Sequence, residues 1–404
     1  MGKPLLRFQR VLVFLRTGWS ILGITLVVLL LAEAGFRVIF AVRDRSAAEP
    51  APDRRVLVEG YGGDTWPVEH YRELGQLEER WQPYVYFRPK PFEGSTIRVG
   101  SDGLRTTWQP PANRDDRPQP ESVKVLMLGG SSLWGFGARD DRTIPSLLAR
   151  ALDERGQRVE LKNLSGIGYV STQELIALLR ELQAGYRPDV VIFYDGVNDT
   201  TSAFLGGEAG LTTNESNRRD EFNLLQSPAR LAATLTAKLV KDSGSYRFAR
   251  AVRRRFEGGT TAANAAPSDE TLRRLARDVA ARYAANIGIV ESLSRGYGFR
   301  PLFFWQPIVF TKHAMVQVER EEAQRYAWTE QLFRAVYGRI QASPELKTDP
   351  AFQDLSGIFD GTEGLVFIDY CHTTESANAR IAVVMADRVL EGLRPIEPAA
   401  TKQP

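Results

Sequence analysis

The run VKVLMLGGSSLWGFG, residues 123–137, passes from a buried strand straight into a glycine-rich turn. Residues 123–127 are apolar apart from Lys124, and Gly129-Gly130-Ser131-Ser132 follows at once. A hydroxyl therefore stands at the carboxyl end of a strand. In an open parallel sheet that edge is where ligands bind, because successive loops converge there and the next helix offers unpaired N–H groups. Glycine makes a tight turn that a bulkier residue cannot. Taken alone, this stretch fits either a nucleophile or a plain strand exit.

Downstream the pattern strand, loop, helix recurs. Thr143 with Pro145 opens a helix through Leu148 and Leu152. Residues 159–164 make a second strand that ends in Asn163-Leu164-Ser165-Gly166-Ile167-Gly168. Ser171 and Glu174 have capping-box spacing, and Leu175, Leu178, Leu179 and Leu182 supply the apolar stripe of the helix behind them. DVVIFY, residues 189–194, is a third strand leading into Asp195-Gly196-Val197-Asn198-Asp199. Ser268 caps a long helix that turns Leu272, Leu275, Val279, Tyr283, Ile287 and Val290 inward. Residues 300–308 return to strand, and residues 320–342 form a helical insertion. A last strand over 365–368 delivers Asp369-Tyr370-Cys371-His372, and Ile381, Val384, Met385 and Val389 mark a closing helix. Such alternation means parallel βαβ units, hence an α/β fold with a mainly parallel sheet between helical layers.

Ahead of this body lies a different chain. Lys3, Arg7, Arg10 and Arg16 have no acidic residue among them, and an apolar run over 17–42 follows, interrupted by Glu33 and Arg37. Those two stand four apart, able to pair or snorkel, so the helix is long enough to span a bilayer. The basic flank keeps the N-terminus in the cytoplasm. No small-x-small cleavage site follows, so the segment reads as an uncleaved anchor rather than a signal peptide. The expected organisation is a basic tail (1–16), a transmembrane helix (17–42), a tether (43–60) and a loop-rich extension (61–120) of short strands without helix. A catalytic body (121–395) follows, with insertions at about 200–267 and 312–360, and then a tail (396–404). His70, in the extension, reads as a surface residue. Within the first insertion, residues 247–255 are basic and read as a solvated helix face, and residues 257–267 as a flexible loop.

Composition narrows the chemistry. A formal charge of +3 over 404 residues gives no case for nucleic acid. Cys371 is the only cysteine, which excludes an intrachain disulfide and a cysteine-rich metal site. No cofactor or metal is expected, since no histidine or carboxylate cluster has ligand spacing. Only His70, His313 and His372 are available as a neutral-pH base. The strand exits carry a serine, a glycine, a Gly-x-Asn and an Asp-x-x-His. Acyl transfer needs a hydroxyl, an imidazole, a carboxylate and donors for an oxyanion. Asp369 and His372 meet only if a turn follows the strand, because an i, i+3 pair points opposite ways when extended.

With these residues in view, the chain resembles the SGNH (GDSL-type) hydrolases from about residue 123 to the closing helix. Four blocks stand in that family's order: Gly129-Gly130-Ser131-Ser132-Leu133-Trp134-Gly135, Asn163 with Gly168, Gly196-x-Asn198-Asp199, and Asp369-x-x-His372. The resemblance implies a three-layer α/β/α sandwich of flavodoxin-like SGNH type. It implies Ser131 as nucleophile, His372 as base and Asp369 as its orienter, with an oxyanion hole of the Ser131 and Gly168 N–H groups and the Asn198 amide. Gly130 stands where the family often has aspartate, as in membrane-anchored bacterial members. Ser132 is the rival nucleophile, set aside because Gly135 is spaced to match Ser131. The implied activity is a serine esterase of the bacterial cytoplasmic membrane, its body in the periplasm, acting on O-acyl, above all O-acetyl, groups of envelope or secreted carbohydrate. An O-acyltransferase with the same site and an inactive assembly protein are the alternatives.

Overall fold

The computed structural model describes residues 3–46, 53–58, 65–110, 122–256 and 267–393, with backbone alone for 3–13, 46 and 253–256. The expected flexible loop and C-terminal tail lie almost wholly outside the described residues, as do parts of the tether and of the extension. In order the elements are α1 (Lys3–Ser46), α2 (Trp66–Leu74), β1 (Glu79–Gln82), β2 (Tyr86–Pro89), β3 (Phe92–Glu93), β4 (Arg98–Val99), β5 (Val123–Gly129), α3 (Ser131–Trp134), α4 (Ile144–Glu154), β6 (Val159–Asn163), α5 (Ser171–Gln183) and β7 (Val190–Asp195). Then come α6 (Val197–Gly206), α7 (Glu215–Leu225), α8 (Pro228–Lys241), α9 (Gly244–Phe256), α10 (Asp269–Tyr297), β8 (Arg300–Trp305), α11 (Gln317–Arg325), α12 (Ala327–Ala342), α13 (Pro344–Thr348), β9 (Phe352–Asp354) and α14 (Glu375–Leu393). They fall into two compact units, one of residues 1–52 with 217–265 and one of 53–216 with 266–404.

The larger unit is built on a five-stranded sheet in the order β6-β5-β7-β8-β9, every neighbouring pair parallel. Strand β7 is buried throughout, as a central strand covered on both faces must be. Helix α4 packs with α14 in one layer, and α5 packs with α10, which meets α12, in the other. This is the expected α/β/α sandwich. Thr143 caps α4 by accepting from the Ser146 N–H, and Ser268 caps α10 by accepting from Thr271.

Three local expectations give way. The fifth strand is β9, inside the expected second insertion, whereas residues 365–368 form a turn held by a single bridge between Phe367 and Thr373. Three residues of pairing are too short to leave a periodic signal. Ser171 does not cap α5, since Val170 holds that position and Ser171 is its first residue. The extension does contain a helix, α2, opened by Pro67.

Within that extension a polar anchor ties α2 to the turn between β3 and β4. Glu73, at the end of α2, accepts hydrogen bonds from the N–H groups of Ser95, Thr96 and Ile97 and from both hydroxyls of Ser95 and Thr96. Burial opposes its charge, yet these donors hold its pKa at about 2. A carboxylate held low stabilises the fold above its unfolded pKa of 4.5 and loses that contribution as the pH falls toward 2. Glu73→Gln should therefore cost about 2 kcal/mol at neutral pH and progressively less in acid. Urea unfolding at pH 7 and pH 3 measures it; equal costs at both would contradict it.

Candidate active site

Residue 131 opens α3 immediately after β5, with Gly130 at the cap in extended conformation. A Cβ at Gly130 would lie 2.1 Å from the Asn198 amide nitrogen, so no side chain fits there while Asn198 keeps its place. Asn198 donates to the Tyr169 carbonyl at 2.8 Å, which joins the β7 exit to the turn containing Gly168. Gly168 has φ +80°, a conformation that favours glycine. Gly135 closes α3 at φ +93°, where a Cβ would meet Thr143 Cγ2 at 2.3 Å.

The loop after residue 368 makes the turn that the Asp-x-x-His spacing requires. Asp369 Oδ1 accepts from the N–H groups of Cys371 (3.0 Å) and His372 (2.8 Å), while Oδ2 accepts from His372 Nδ1 at 2.7 Å. Across the crevice, His372 Nε2 is 2.8 Å from Ser131 Oγ. Burial opposes the charge of Asp369, but the His372 ring and the two backbone donors hold its carboxyl well below the usual range. Phe136 stacks on the imidazole, centroids 4.6 Å apart. The structure thus brings Ser131, His372 and Asp369 into one chain of hydrogen bonds. Ser132 points elsewhere, its buried hydroxyl 3.4 Å from the Cys371 carbonyl. His313 is exposed and paired with Asp360.

Asp369, Cys371 and His372 are also the one group among the described residues whose potential metal-donor atoms lie within 4.8 Å of one another. Both ring nitrogens of His372 are already engaged, by Asp369 and Ser131.

Sequence reasoning missed three supports. Arg55 Nη1 lies 3.3 Å from Asp369 Oδ2, its guanidinium spread over the rings of Tyr71 and Phe136 and held by Asp53. Its neighbour Arg54 pairs with Glu322. This short 53–58 segment lies inside the expected tether (43–60) and has no periodicity to betray a contact with residue 369. His70 is not a surface residue: it is buried between the Thr96 hydroxyl and the Phe136 carbonyl. Burial and the charge of Arg105 lower its pKa to about 3, so it stays neutral. Arg105, fully enclosed, donates to the carbonyls of Thr96, Trp134, Gly135 and Ala138 and pairs with Asp140.

Beneath the site Asp199 accepts from the Ser171 N–H and hydroxyl, which is why Ser171 does not serve as a cap. Beside it, Glu174 and Asp195 are buried, and neither carboxyl meets an N–H or O–H donor among the described residues. Burial raises both carboxyls well above the usual range, with the charge of Asp195 adding to it at Glu174 and that of Asp199 at both, so the pair holds a proton.

No protein-family model matches the chain. The chain is similar to a GDSL-like esterase of Mycobacterium tuberculosis. Identity is 28% over 116 residues, 28% of this chain and 36% of the relative, so the match spans about a third of that protein's length. Among solved structures, an acetyl xylan esterase aligns with 13% identity and TM-score 0.34, over 67% of this chain and all of the other. A putative lipolytic protein of the G-D-S-L family from Desulfitobacterium hafniense aligns with 10% identity and TM-score 0.35, over 66% of this chain and 99% of the other.

Two outcomes are expected. Arg55→Met should lower kcat with little change in KM, and Arg55→Lys should recover most of the loss; steady-state kinetics on a small acetyl ester measure both. A proton held by the Glu174–Asp195 pair stabilises the fold below the unfolded pKa of 4.5, and that stabilisation is lost as the pH rises through the raised value. Glu174→Gln should accordingly gain Tm over the parent protein, and gain more as the pH rises from 5 to 8. A constant offset across that range would contradict the shared proton.

Proposed function

We propose that this chain is a membrane-anchored serine esterase that removes O-acyl groups, chiefly O-acetyl, from carbohydrate of the cell envelope or secreted glycan. The observation that carries the reading is the run of two short hydrogen bonds from Ser131 Oγ through His372 to Asp369. Ser131 Oγ attacks the ester carbonyl carbon as His372 Nε2 takes its proton. Asp369 keeps the ring in the tautomer whose Nε2 accepts, and stabilises the imidazolium that forms. Negative charge developing on the carbonyl oxygen is met by the Ser131 N–H, which as the first helical residue has no helical acceptor, and by the Gly168 N–H and the Asn198 amide. Asn198 spends one of its two N–H bonds on Tyr169 and keeps the other for the oxyanion. Collapse expels the alcohol, which takes the proton from His372, and water repeats the sequence on the acyl-enzyme to release the acid.

The carbohydrate reading is supported by a cavity of about 550 Å³ beside Phe136. Its lining sets Asp53, Arg55, Glu78 and Glu79 beside Leu74, Leu77 and Ile167. The charged side chains can hydrogen-bond sugar hydroxyls, which an alkyl chain does not offer. The anchor reading is supported by α1, whose stretch Phe14–Arg45 is long and apolar enough to cross a membrane. The basic residues before it favour a body outside the cytoplasm.

Full-length protein should release acetate from acetylated xylan and from p-nitrophenyl acetate. Ser131→Ala should abolish both, and Asn198→Ala should lower kcat about 100- to 1000-fold without unfolding the protein. Retention of the parent rate by Ser131→Ala would end the esterase reading. Preference for long-chain over acetyl esters would end the carbohydrate one.

A further inference from the structure

The smaller unit joins α1 to the 217–256 excursion, and the contact between them is built rather than incidental. Glu33 and Arg37 interrupt the apolar run of α1 and pair at 2.7 Å. The Glu33 carboxylate also accepts from the N–H groups of Gly244 (2.8 Å) and Ser245 (2.9 Å) and from the Ser245 hydroxyl, so a residue of α1 caps α9. A Cβ at Gly244 would lie 2.8 Å from Phe36 Cβ and from the Arg37 nitrogen, so the two helices touch where only glycine fits. From there α9 runs alongside α1. Phe248 stacks on Phe36 at 4.4 Å, and Arg247 pairs with Asp44 and covers the Phe40 ring.

What this unit leaves uncovered is apolar and cationic. On α8, Leu231, Leu235 and Leu239 recur every four residues and fall on one helix face. Leu239 is 73% exposed, and Leu235 and Val240 are more than half exposed. Phe222 and Leu225 of α7 and Phe248 and Val252 of α9 are exposed as well. Residues 228–256 hold eight lysines and arginines against one acidic residue, Asp242. A water-facing helix has no reason to present leucines this way. A helix lying in the interface of an anionic bilayer does.

Position along α1 agrees. From Arg16 to Arg37 is 21 residues, about 31 Å at 1.5 Å per residue, which matches one hydrocarbon core. The residues that α9 contacts, 33–44, then fall at the edge of that core and just beyond it.

We infer that α8 and α9 lie in the interfacial layer of the bilayer that α1 crosses, with the leucine row among the upper acyl chains and the cations on anionic phospholipid headgroups. The inference rests on α1 spanning the membrane. On this reading the excursion fixes how the anchor emerges, through contacts with lipid in addition to those with α1.

The test uses full-length Leu239→Cys, labelled with a fluorescent maleimide and reconstituted into vesicles of phosphatidylcholine with or without phosphatidylglycerol. The native Cys371 is buried, and unlabelled parent protein treated in parallel reports any background. Leu26→Cys in α1 serves as the reference for spanning. Both labels should lose access to aqueous iodide, and the label at 239 should be quenched more by lipid brominated near the headgroup than by lipid brominated at the chain end. Adding Lys238→Glu, Lys241→Glu and Arg250→Glu should restore iodide access at 239 in vesicles containing phosphatidylglycerol. A shielded label at 26 with an iodide-accessible label at 239 overturns the inference and leaves the anchor standing; accessible labels at both positions overturn both. Shielding at 239 without quenching by any brominated lipid assigns the surface to a second copy of the chain and overturns the lipid assignment. Unchanged shielding after the three charge reversals overturns the role of anionic headgroups.

Discussion

A buried carboxylate with no water to solvate it must be surrounded by donors, and Asp369 meets that demand from its own turn. Two backbone N–H groups and the imidazole of residue 372 converge on its two oxygens. The loop that satisfies Asp369 is thereby the loop that aims His372. Phe136 closes one face of the ring, and the Ser131 hydroxyl meets its other nitrogen. Because the requirement is electrostatic and local, a three-residue spacing suffices to encode it, and the strand expected ahead of it was unnecessary.

The nucleophile side has the opposite character. Residues 134–140 form a loop whose carbonyls point inward, and such groups must find partners. Arg105 supplies them for Trp134, Gly135 and Ala138, and His70 for Phe136. Both donors come from the stretch before the sheet. Its aromatic and turn-forming composition suggests a surface cover, whereas its contacts make it the scaffold behind Ser131 and Phe136. The Gly130 contact with Asn198 works in the same direction, since a position without a side chain lets the β7 exit come close enough to share the site.

Much of this was legible in the sequence where a periodic signal met a chemical one. Strands β5, β6, β7 and β8 declared themselves as short runs leading into turns with glycine, serine or proline, and the inward row of α10 followed from its spacing. The loop residues Ser131, Gly168, Asn198, Asp369 and His372 could be chosen because each lies at the end of an expected strand. Failures came where pairing was brief or the partner was distant in sequence. Strand β9 has three residues, and the contact between Arg55 and Asp369 spans 314 positions. Ser171 shows a third kind of failure. Its spacing to Glu174 satisfies a local rule, but a buried carboxylate in the first turn of α6, Asp199, competes for its hydroxyl and wins.

The turn at residues 53–58 lies a few positions beyond the end of α1 and yet reaches the carboxylate farthest from the nucleophile in the relay. Loss of the covalent link to α1 and loss of this contact are therefore separable events for this polypeptide. A protease cutting just before Asp53 would sever that link yet leave the guanidinium against Asp369, whereas one cutting just after Val58 would take the guanidinium with it. Two scission points six residues apart thus differ by one positive charge at a buried carboxylate.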